Sequence, residues 1–73
     1  MFGLSVKITM IRKLELELAR CRREGDRAYE VLEDRERSGV ATEVDHGRAL
    51  LWRDRTYSAR QRLELAKASV EHA

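Results

Sequence analysis

The first ten residues, MFGLSVKITM, alternate: Phe2, Leu4, Val6, Ile8 and Met10 are apolar, and Gly3, Ser5, Lys7 and Thr9 separate them. A period of two belongs to a half-buried β-strand, and Val, Ile, Thr and Phe all favour strands. Read as a helix, the same stretch keeps Leu4, Ile8 and Ile11 in one stripe. Gly3 and the β-branched Val6, Ile8 and Thr9 are poor helix residues, however. The alternation therefore predicts an extended N-terminal arm or strand over residues 1–10. A lone strand leaves its backbone unpaired, so this arm would need a second copy or a partner's sheet edge.

From Ile11 the period changes. Ile11, Leu14, Leu18, Cys21, Gly25, Ala28 and Leu32 step by three and four, as one stripe of a helix must. The intervening Leu, Glu, Arg, Lys and Ala are strong helix formers, and the chain contains no Pro. A first helix is predicted over residues 11–37, a turn over 38–42 and a second helix over 43–72, all within one domain of residues 1–73. Gly39 suits the left-handed position that ends a helix. Thr42 suits the cap of the next helix, with Asp45 three residues on in a capping-box arrangement. The second stripe is Ala49, Trp52, Thr56, Ala59, Leu63, Ala66 and Val70.

A turn this short folds the helices back as an antiparallel hairpin. Folding at Gly39 sets Gly25 against Trp52, Leu18 against Ala59, Leu14 against Leu63 and Ile11 against Ala66. Small residues then meet large ones, as dense packing requires. Gly25 reads either as a notch for Trp52 or as a break in the first helix. The flanking charges fit the same register, with Glu17 approaching Arg62, Glu24 approaching Arg55 and Glu15 approaching Arg60; Arg22 opposite Arg53 departs from it. The expected class is mainly α: a coiled-coil-like hairpin with a short N-terminal arm, dimerising into a helical bundle.

Composition narrows the function. A chain of 73 residues buries too little surface to be comfortable alone, and its single cysteine rules out a disulfide framework. One cysteine, no basic leader and no apolar run of about 20 residues suggest a cytoplasmic protein without a membrane span. Charged residues make up 38% of the chain yet nearly cancel to +2, which suits solvated helices better than a nucleic-acid tail. Cys21 has no His placed to activate it, and His46 and His72 lack ligand spacing. The sequence therefore suggests no enzyme, no metal, no cofactor and no small-molecule substrate.

What remains is binding. Leu50, Leu51, Tyr57 and Leu65 lie off the second stripe, and Leu16, Tyr29 and Val31 lie off the first. A two-helix hairpin has no third layer to cover them. Leu50, Leu51, Tyr57, Leu65, Leu16 and Tyr29 are thus the candidate contacts to a protein partner or to a second copy. Such a chain would act as an adaptor, small chaperone or inhibitor. At the level of fold alone, hairpins of this size have analogues among type III secretion co-chaperones and phage-encoded inhibitors of host proteins. The basic segment WRDRTYSARQR reads mainly as the counter-charge to the first helix's glutamates. An alternative comes from LSVKITM followed by a helix, the EGD of residues 24–26 and RAYEVLEDRERS, an outline that resembles ribbon–helix–helix proteins. That resemblance implies a turn at Glu24–Asp26 and a dimer whose strands read the DNA major groove through Ser5, Lys7 and Thr9.

Overall fold

The computed structural model describes residues 2–71, which form two α-helices joined by a short turn. Helix α1 spans Phe2–Arg37 and α2 spans Glu43–Glu71. They pack side by side along their length into a rod of 57 × 14 × 14 Å. Met1, His72 and Ala73, the ends of the expected arm and second helix, lie outside the described residues.

Both stripes read from the sequence face the seam. Leu18, Cys21, Ala28 and Leu32 of α1 are buried, as are Ala59 and Leu63 of α2. Leu18, Cys21, Ala59 and Leu63 form the central cluster, and Ile11, Leu14 and Trp52 pack against it half-buried. Ala59 is completely enclosed, packed in one cluster with Leu18. Thr56 holds a polar group at the seam without cost, because its hydroxyl donates to the Trp52 carbonyl at 2.7 Å. Cys21 is a free thiol that packs as a small apolar residue.

Gly25 lies inside an unbroken helix and faces Trp52, so the notch reading holds and the break does not. A Cβ built there would meet the Trp52 Cβ at 3.6 Å and the Thr56 Oγ1 at 3.9 Å, which is ordinary van der Waals contact. The notch therefore has room for one methyl group.

The turn is built by local chemistry. Gly39 has φ +72°, and α1 ends in a Schellman arrangement. The Val40 N–H donates to the Arg35 carbonyl at 2.9 Å, and the Gly39 N–H donates to the Glu36 carbonyl at 3.1 Å. Helix α2 opens with the Thr42–Asp45 box. Asp45 Oδ2 accepts from the Thr42 N–H at 3.0 Å and from the Thr42 hydroxyl at 3.1 Å. The Asp45 N–H returns to Thr42 Oγ1 at 3.4 Å. Arg35 of α1 closes the site with Nη1 at 3.3 Å from Asp45 Oδ1, tying the end of one helix to the start of the next. The Thr42 hydrogen bonds, with Arg35 adding its charge, hold the buried Asp45 carboxyl below its ordinary value against the opposing effect of burial.

The opening residues depart from the expected strand: α1 begins at Phe2, and residues 2–10 are its first turns. A strand here would have no sheet to join, whereas a helix satisfies its N–H and C=O groups internally. The last turns of α2 also run beside this segment, so Lys7, Met10 and Leu14 share a groove with Arg62, Leu65, Ala66 and Ser69. The ribbon–helix–helix outline fails at the same points, because α1 is continuous through Glu24–Asp26 and no strand occurs among the described residues.

Two outcomes follow from this packing. Gly25→Ala should raise stability by about 0.5–1 kcal/mol in urea titrations, since it removes the helix cost of glycine and adds an unstrained contact, while Gly25→Leu should destabilise. Asp45→Asn probes the turn. A lowered folded-state pKa stabilises fully above the unfolded value of about 3.9, and that contribution disappears as pH falls through the lower folded value. The urea midpoints of wild type and Asp45→Asn should therefore differ at pH 7 and converge toward pH 2; a constant gap would contradict the assignment.

Candidate functional site

Each helix spends one stripe on the seam and leaves the rest of its circumference to solvent. All six candidate contact residues are exposed, from Leu51 at 46% to Leu16 at 72%. They do not, however, share one surface. Residues seven apart in a helix return to nearly the same direction, whereas adjacent residues diverge by about 100°. Leu50 and Tyr57 consequently share one side of α2, and Leu51 and Leu65 share the other.

The first side is a groove of about 430 Å³ near the turn. Tyr29 and Leu32 of α1 and Ala49 and Leu50 of α2 line it, over Gly25 and Thr56. Arg22 and Arg53, from the two helices, both border it, with Asp26 and His46 nearby. Neither arginine forms an ion pair among the described residues. Tyr57 lies one to two turns further along α2, its phenol oxygen accepting from Gln61 Nε2 at 2.8 Å. The same side continues past Arg22 into a polar groove bordered by Glu15, Arg60, Glu64 and Lys67.

The opposite side carries Met10, Leu14, Leu65 and Ala66 at the open end of the rod. Its middle is a charged belt of Glu17, Arg20, Arg55 and Arg62. Arg62 Nη2 reaches Glu17 at 3.3 Å across the helices, the one expected inter-helix pair that forms. Glu24 turns instead to Arg27 at 3.7 Å, and Arg60 to Glu64 at 3.4 Å. Arg55 lies over the Trp52 ring with its guanidinium carbon 5.0 Å from the centroid. On an exposed helix surface, neighbours on the same helix compete on equal terms with partners across the seam. Leu16 projects directly away from the seam and belongs to neither side.

Ser5, Lys7 and Thr9 do not lie on one face of the helix. The Thr9 hydroxyl donates to the Ser5 carbonyl at 3.0 Å, so these two share the outer face, while Lys7 points back toward α2. The pairing of Arg22 with Arg53 at an apolar groove was visible in the sequence as a break in the charge pattern. The Arg35–Asp45 tie was not, because Asp45 reads as a cap and nothing else. Among the described residues no three of His, Cys, Asp or Glu gather closely enough to hold a metal ion, and no helix is long and apolar enough to cross a membrane. Comparison of the chain with protein-family models, with curated proteins and with solved structures finds no match.

Proposed function

We propose that this chain is a small non-enzymatic protein-binding module, an adaptor, chaperone or inhibitor that works by presenting helix faces to a partner and to a second copy of itself. The observation that carries this reading is the exposure of Leu16, Tyr29, Leu50, Leu51, Tyr57 and Leu65 around a core only one seam thick. A contiguous exposed apolar patch on a small domain marks an interface, and Tyr29 and Leu50 form one along a single groove. A domain this small also gains stability readily from association.

The Tyr29–Leu50 groove has the chemistry of a docking site for another protein. Its floor is apolar, and two arginines border it without partners among the described residues. With Arg22, Arg53 and Asp26 around it, the groove carries a net positive charge that a carboxylate from outside would complement. The groove therefore favours a segment that presents an apolar side chain flanked by Asp or Glu.

Retention on the immobilised full chain tests the reading. Wild type should hold a discrete protein from a lysate of its source organism in near-stoichiometric amount. Tyr29→Ala with Leu50→Asp should lose that protein while helicity by circular dichroism is unchanged. Equal retention by both, or retention of nucleic acid alone, would overturn it.

A further inference from the structure

The open end of the rod is a docking surface for an anionic lipid membrane; we infer this from where cations and exposed aliphatic side chains fall together. Charge is unevenly distributed along α1. Residues 2–23 hold six basic and two acidic residues, whereas residues 24–37 hold three basic and six acidic. The first carboxylate in the chain is Glu15, so Lys7, Arg12 and Lys13 precede every acidic side chain. The small net charge of +2 conceals this separation.

Two adjoining grooves at this end meet at Met10. One, of about 500 Å³, runs between the helices and is lined by Lys7, Met10, Leu14, Arg62 and Leu65 among others. The second, of about 330 Å³, lies along α1 over Val6, Met10 and Lys13. No Asp or Glu lines either of them, whereas Asp26, Glu15 and Glu17 enter the grooves nearer the turn. Arg62 is engaged by Glu17, which stands one turn beyond Lys13. Lys7 and Lys13 form no ion pair among the described residues. The nearby carboxylates of α2, Glu64 and Glu71, are seven apart and share the other side of the rod, where Glu64 pairs with Arg60.

Val6, Met10 and Leu65 are exposed by 51% to 70% on this surface, so more than half of each side chain is there to be buried. Aliphatic side chains edged by lysine, with no carboxylate between, match the boundary between acyl chains and anionic headgroups. The aliphatic groups enter the acyl region, and the lysine stems follow with their ammonium groups level with the phosphates. A nucleic acid would match the charge alone, because the residues lining these grooves offer no aromatic ring on which a base could stack. Contact is confined to the interface, since no helix among the described residues is long and apolar enough to cross a membrane. The Tyr29–Leu50 groove lies near the turn, at the other end of the rod, and stays open when the membrane is bound.

Co-sedimentation of the full chain with vesicles tests the surface. Wild type should pellet with vesicles of phosphatidylcholine containing about one-third phosphatidylserine and remain in solution with phosphatidylcholine alone. Raising salt from about 0.05 to 0.5 M should release it. Lys7→Gln and Lys13→Gln should each weaken binding about five-fold. Met10→Gln with Leu65→Gln should weaken it at least about ten-fold while helicity by circular dichroism is unchanged, because both side chains lie outside the seam. Absence of binding, equal binding to both vesicles, or full binding by the Met10→Gln, Leu65→Gln variant would overturn the proposal. So would preference for duplex DNA at equal phosphate, or a vesicle-free dimer that this double variant dissolves. These measurements contain no other protein, so their failure leaves capture by the Tyr29–Leu50 groove standing, and loss of that capture leaves membrane docking standing.

Discussion

Everything in this molecule depends on how closely two helices can approach. Ala59 is completely enclosed, and Gly25 meets Trp52 without a side chain of its own. Small residues at these heights bring the backbones together and let Leu18, Cys21 and Leu63 close around the contact. With only two elements, each side chain is either in the seam or outside it. Among the described residues no large side chain is fully buried, so a single seam supplies nearly all the apolar burial available. The thin core and the exposed surface are two consequences of one geometry.

The turn serves that seam. The Schellman end of α1 and the Thr42–Asp45 box satisfy backbone groups that would otherwise be orphaned where the chain reverses. The Arg35–Asp45 pair adds a link between helices at the point where a register slip would begin. Register matters beyond stability, because it decides which outward residues stand level with one another. The groove under Tyr29 and Leu50 exists only in this register. Function, on the reading advanced above, is a property of the two outer sides, and the seam is the ruler that aligns them.

Sorting the exposed residues by side changes what they can do. A single patch of Leu50, Leu51, Tyr57 and Leu65 would be one interface for one partner. Two opposed sides permit two contacts at once.

Much of this was legible from residue spacing. A helix is rigid, with a fixed angle per residue, so stepping by three and four identified the seam stripes, and Gly39, Thr42 and Asp45 marked the turn by local chemistry alone. Three features were decided only by tertiary structure. Residues 2–10 carry a strand's alternation, yet so short a segment follows whichever partner its backbone finds, and here its own helix continues beside α2. The charged side chains had several partners within reach, and competition along each helix left Glu17–Arg62 as the one expected inter-helix pair to form. The grouping of the apolar residues into two sides depended on where the seam lies on both helices at once. Periodicity orders residues around one axis; only the packing of two axes determines which of them become neighbours.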